Sequence, residues 1–159
     1  MTLDTSAVLA VLRNEPERAE FVSLIEQSSR RLISAVSVLE AAMVLEERRG
    51  DDAGADLDLF LQRASIETVA FDQEHLTLAR TAFRRFGKGR HAAGLNFGDC
   101  ASYALAQWSG EPLLFKGDDF AATDVPRVME PPDSPRSSEA PSRAKRLHSA
   151  SRSPDASRR

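Results

Sequence analysis

Five carboxylates in this chain stand at positions where they could act together: Asp4, Glu40, Asp99, Asp118 and Asp119. Asp4 closes the apolar opening Met1-Thr2-Leu3, and Asp118 and Asp119 follow the apolar run Pro112-Leu113-Leu114-Phe115-Lys116 almost directly. Glu40 comes one turn into a helical pattern behind the run 31–36, and Asp99 begins the helical pattern that leads to residues 112–116. Carboxylates gathered in one place repel one another unless a cation neutralises them. Hard divalent ions suit such a group, which points to Mg2+ or Mn2+ held by a few carboxylates and several waters.

Each acid also has a plainer reading. Ser37-x-x-Glu40 has the form of a capping box, Asn96-x-x-Asp99 resembles one, and Asp4 can cap the helix that follows it. Acids in a first turn also complement the helix dipole. What speaks for chemistry is their coincidence on one rim, and that depends on the elements that carry them.

Those elements alternate. Strand patterns cover 1–5, 31–36, 65–71 and 112–116, and residues 125–129 can add a short edge strand. Helical spacing covers 6–14, 16–28, 37–49, 52–64 and 72–86, with a last helix that starts at Asn96 or Asp99 and stops at Gly110. This β–α alternation predicts an α/β fold, a three-layer α/β/α arrangement around a central, mostly parallel sheet. Sites in such sheets form beyond the carboxyl ends of the strands, and all five acids fall at a strand end or in a first helical turn on that side.

The charge sets a condition on any such site. Residues 1–126 carry 13 Lys/Arg against 20 Asp/Glu, whereas residues 127–159 carry 8 against 4. An acidic body repels nucleic acid unless metal ions and a local basic patch reverse the field. The glycine-rich loop 87–98 offers such a patch in Lys88, Arg90 and His91, which Arg84 and Arg85 extend. Thr5 and Ser6 can donate to a phosphate or to a metal-bound water, and Lys116 can reach toward the same place.

We assign 1–126 to one domain and 127–159 to a Pro/Ser/Arg-rich tail, which is too poor in apolar residues to order itself. The chain shows no secretory leader and no apolar stretch of membrane-spanning length. Its single cysteine, Cys100, excludes an intrachain disulfide, and the expected compartment is the cytoplasm. Cys100, Tyr103, Trp108, His75 and His91 read as structural. Leu9, Leu12, Phe60 and Leu61 read as core.

The segments LDTSAVLAVL, SAVSVLEAAMVLE, GLNFGDCASYALA and LLFKGDDFAATDV, in that order, resemble the successive motifs of VapC-type PIN-domain toxins over about residues 1–126. The resemblance implies a PIN fold and a metal-dependent endoribonuclease, the toxin of a VapBC toxin–antitoxin pair. It implies that Asp4 and Asp99 ligate Mg2+ or Mn2+, with Glu40, Asp118 and Asp119 in support. The fourth family acid falls on either Asp118 or Asp119, and we favour Asp118. Thr5, Lys88 and Arg90 are the expected RNA phosphate contacts. The implied reaction is an in-line displacement at a phosphodiester that leaves a 5′-phosphate and a 3′-hydroxyl. The implied partners are the RNA substrate, a VapB-type antitoxin that presents a cationic peptide to the acids, and a second copy in a homodimer. Three alternatives differ in kind: a PIN-like nuclease of RNA or DNA processing, a non-catalytic module whose acids only cap helices, and an aspartyl-phosphate phosphatase. The last normally wants an Asp-x-Asp pair, but Thr5 and Ser6 follow Asp4.

Overall fold

The computed structural model describes residues 1–50 and 52–128. Its elements run β1 (Thr2–Leu3), α1 (Thr5–Leu12), α2 (Arg18–Gln27), β2 (Leu32–Ser34), α3 (Ala35–Arg49), α4 (Ala53–Arg63), β3 (Glu67–Val69), α5 (Gln73–Phe86), α6 (Phe97–Ser109) and β4 (Leu113–Leu114). The strands are shorter than the apolar runs that contain them. Their order is β3-β2-β1-β4, and every pair is parallel. Thr2 pairs with Leu32 on one side and Leu113 on the other, so β1 is central and delivers Asp4 to the middle of the rim.

The sheet has a core on each face. Neighbours on a strand point to opposite faces, and Leu113 and Leu114 accordingly enter different cores. Leu114 joins Leu3, Ile33, Val8, Phe21, Leu45 and Leu57 under α1–α4. Leu113 joins Phe86, Leu95, Tyr103 and Phe120 beside α5 and α6. Of the expected core residues, Leu61 is buried, while Leu9, Leu12 and Phe60 pack at its edge.

Two helix starts matter for the site. Ser34, not Ser37, caps α3: its hydroxyl accepts from the Val36 amide, and the helix begins two residues earlier than its sequence pattern suggests. Ser37 thus lies inside the helix, and Glu40 is not the acid of a capping box. Asn96 caps α6 in a true capping box with Asp99. The strand expected at 125–129 appears as a single parallel bridge between Leu113 and Arg127. The tail beyond Val128, expected to be disordered, lies outside the described residues. No helix among the described residues is long and apolar enough to cross a membrane.

Candidate active site

Asp4 sits where β1 ends and α1 begins, only 4% exposed. Its Oδ2 accepts from the Ser6 amide (2.9 Å) and the Ser6 hydroxyl (2.6 Å), and its Oδ1 accepts from the Ser102 hydroxyl (2.6 Å). The cap reading is therefore correct, but it accounts for only part of what holds the side chain. Ser102 lies one turn after Asp99 on α6 and meets the Ser37 hydroxyl of α3 at 3.1 Å. On the other flank, the Lys116 amide donates to Ser6 Oγ (3.0 Å), which fixes the chain as it leaves β4 toward Asp118 and Asp119.

Asp99 is 9% exposed at the start of α6. Its Oδ2 accepts from the Asn96 amide at 2.7 Å, and no hydrogen bond among the described residues uses its Oδ1. Burial pushes its carboxyl up to about 6; the Asn96 amide opposes this, and the nearby charges of Asp4, Asp119 and Glu40 add to it. Glu40 comes from the second turn of α3, and Thr5 Oγ1 donates to its Oε2 at 2.5 Å. Its carboxylate lies against the backbone of Gly98, where an added Cβ would fall 2.4 Å from Oε2. Only glycine allows that approach. Asp118 and Asp119 are exposed in the turn after β4, and Phe120, 1% exposed, anchors that turn in the second core.

The structure thus brings Asp4, Glu40 and Asp119 within electrostatic reach of Asp99. Asp119 is among the charges that act on Asp99. Thr5, expected at a phosphate, is buried, and its hydroxyl donates to Glu40. Lys88 and Arg90 are exposed on the loop before α6, with the Arg90 guanidinium 5.2 Å from the Phe83 ring centre. The Lys116 ammonium is held by Glu15 (2.7 Å) and Glu17 (2.9 Å). Cys100 is buried, its thiol pushed up to about 11 chiefly by burial and then by Asp99, so it is no nucleophile.

The donor set suits a hard cation. All donors are carboxylate oxygens, and none of the ion pairs among the described residues involves Asp4, Glu40, Asp99, Asp118 or Asp119. No three Asp, Glu, His or Cys side chains among the described residues already stand together as a ready ligand set. The fit therefore rests on donor type and uncompensated charge.

Sequence reasoning passed over Ser102 and Gly98 and gave Ser37 only a capping role. Ser102 interrupts an otherwise small and apolar stretch of α6, Cys100-Ala101-Ser102-Tyr103-Ala104, and Gly98 sits inside a helix, where glycine is costly. Both were visible signals.

Residues 1–126 match the PIN domain family. The chain is 50% identical to ribonuclease VapC30 of Mycobacterium tuberculosis over 131 residues, 82% of this chain and 100% of that protein. It is 51% identical to ribonuclease VapC of Mycolicibacterium smegmatis over 128 residues, 80% of this chain and 99% of the relative. Among solved structures it is similar to Mycobacterium tuberculosis VapC20, described as a Sarcin-Ricin loop cleaving toxin, with a TM-score of 0.65 at 16% identity. That likeness covers 80% of this chain and 97% of the solved one, and it bears on the fold alone. The chain belongs to the PIN-domain family, in its VapC ribonuclease branch.

Proposed function

We propose that this chain is the toxin of a VapBC-type pair, an endoribonuclease that depends on Mg2+ or Mn2+. The observation that carries the reading is that Asp4, Glu40 and Asp119, from separate elements, all act on the buried Asp99 carboxyl, with no cation paired to any of the four among the described residues. Self-repulsion in a half-buried site is tolerated when the site's occupant is itself positive.

Asp4 and Asp99 would hold the ion, with Asp119 beside them. When bound, a divalent cation stabilises negative charge at the scissile phosphate and acidifies water. Asp4 is oriented through both oxygens and keeps acceptor capacity on Oδ1. Asp99 keeps Oδ1, because Oδ2 is fixed by the Asn96 amide. Glu40 holds the Thr5 proton at Oε2 and leaves Oε1 able to accept a proton from attacking water. Lys88 and Arg90 supply counter-charge to the RNA backbone from the neighbouring loop.

Partners follow from charge and exposed surface. A cationic segment of a VapB-type antitoxin would complement the acids. Leu39, Met43 and Phe97, each more than 60% exposed, together with Leu76 and Phe83, form an apolar face across α3, α5 and α6 that we assign to a second copy of the chain. The working compartment of this reading is the cytoplasm, and its domain is residues 1–126 followed by the tail.

The test is cleavage of a mixed single-stranded RNA pool by antitoxin-free protein with Mn2+ or Mg2+ against EDTA. We expect cleavage only with metal. Because changing a residue one shell removed from a metal already costs about 10–100-fold, Asp4→Asn should lose more than that. Metal-independent cleavage, or full activity in folded Asp4→Asn, would refute the reading.

A further inference from the structure

We propose that Ser102 and Ser37 are positioning residues that aim the free acceptor of Asp4 into the site, an inference that rests on the metal-dependent reading above. Eight polar or charged side chains are buried among the described residues, and five of them, Asp4, Thr5, Ser37, Asp99 and Ser102, belong to this one place. Ser37 and Ser102 are both fully buried, at 0% exposure. Buried hydroxyls between two packed helices cost free energy that alanine would not, unless their hydrogen bonds are needed.

The direction of the chain is forced. The Asp4 carboxylate can only accept, so the single Ser102 proton goes to Oδ1 at 2.6 Å. Ser102 then has nothing left to donate, and Ser37 must be the donor across the 3.1 Å contact between the two hydroxyls. Proton order thus runs from Ser37 to Ser102 to Asp4. On the opposite oxygen, Oδ2 already accepts twice from Ser6. A carboxylate oxygen offers about two in-plane acceptor positions. The remaining position is therefore on Oδ1, and Ser102 decides which way it faces.

The placement of the two serines links the other acids to this orientation. Ser37 precedes Glu40 by three residues on α3, and Ser102 follows Asp99 by three on α6. Residues three apart share a helix face. The relay therefore registers the helices of Glu40 and Asp99 on Asp4, and a shift of either helix would turn the Asp4 carboxylate.

Titration calorimetry with Mn2+ on the full chain tests this, for the wild type, Ser102→Ala, Ser37→Ala and the double variant, each with a thermal melt. We expect Ser102→Ala to weaken Mn2+ binding roughly 10-fold, in the range of outer-shell partners of metal ligands. Ser37→Ala should weaken it less, and it should add nothing in the Ser102→Ala background. Lowered melting temperatures with unchanged Mn2+ affinity would mean packing alone and overturn the proposal. Additive losses of affinity would overturn the relay. If Ser102→Ala does not fold, Ser102→Cys, which keeps the volume with a weaker donor, and Ser37→Ala carry the same comparison. Failure of the wild type to bind Mn2+ would remove the metal reading and this role together, whereas wild-type affinity in folded Ser102→Ala would remove this role alone.

Discussion

Two groups of acids flank Ser6 and Lys116, and the fold treats them in opposite ways. Glu15 and Glu17 share the Lys116 ammonium at 2.7 and 2.9 Å, and that ammonium holds the Glu17 carboxyl below the usual carboxylate range. Asp4, Glu40, Asp99 and Asp119 share no cation among the described residues, and the Asp99 carboxyl is pushed up to about 6. The first group is about a fifth to a third exposed, so water still reaches it; Asp4 and Asp99 are almost fully buried. Charge is thus compensated where compensation matters least and left bare where it costs most. A fold selected for stability alone would do the reverse. The difference separates a structural ion pair from a site built to receive something positive.

The largest effect that can break this contrast comes from Asp99. Its carboxyl titrates near 6 in the folded chain against about 4 in an ordinary aspartate, so folding without metal takes up a proton between those values. For a raised acid, the stabilising contribution is complete below about pH 4 and is lost as pH rises through 6. Asp99→Asn keeps an oxygen for the Asn96 amide and carries no charge. We expect its stability in EDTA to match wild type near pH 4 and to exceed it above pH 6 by on the order of 2 kcal/mol, while RNA cleavage is abolished. Denaturant melts across that range decide the matter. A variant no more stable than wild type above pH 6 would mean that the Asp99 charge is already satisfied within the chain, and the contrast would fail.

Gly98→Ala gives a smaller effect that sharpens the comparison. An added Cβ would fall 2.4 Å from Glu40 Oε2, and what it meets is the far end of a flexible side chain rather than backbone. Glu40 must therefore swing away, which takes it from Thr5 and from the acid cluster. Replacing a helical glycine by alanine otherwise gains up to about 1 kcal/mol. The expected outcome is a folded protein of equal or higher melting temperature whose cleavage rate falls roughly 10-fold, by analogy with displacing an outer-shell metal partner. Unchanged cleavage would remove Glu40 from the working set.

Much of this arrangement was legible in the sequence, and the limits have physical causes. The parallel sheet and the rim position of the acids follow from alternation of short apolar runs with helical spacing, because periodicity records burial directly. The start of α3 was misplaced because Ser34 and Ser37 are chemically equal as caps; the choice depends on which backbone leaves β2, a tertiary fact. That same ambiguity hid the role of Ser37, which only a contact 65 residues away reveals. Asp118 and Asp119 are adjacent in a turn with no period, so the sequence pattern does not distinguish them, although Phe120 anchors that turn in the core. Lys116 could not be assigned from its position at a strand end, since Glu15 and Glu17 reach it from about a hundred residues away.

The smallest effect tests the compensated half of the comparison. Lys116→Met removes the ammonium but keeps much of the stem and the backbone amide that donates to Ser6. Glu15, Glu17 and Lys116 are each about a fifth to a third exposed, and pairs of this kind contribute little and are screened by salt. We expect a slight drop in melting temperature at low ionic strength that disappears in high salt. The affinity of the variant for single-stranded RNA, measured in EDTA, should stay close to wild type, because the ammonium is already occupied by Glu15 and Glu17. The salt slope of RNA binding is the sharper readout: on a single strand each lysine that neutralises a phosphate contributes about 0.7 to that slope. A slope reduced by about 0.7 in Lys116→Met would move Lys116 from the structural ion pair to the RNA path, and the line between the two groups of acids would have to be redrawn through this residue.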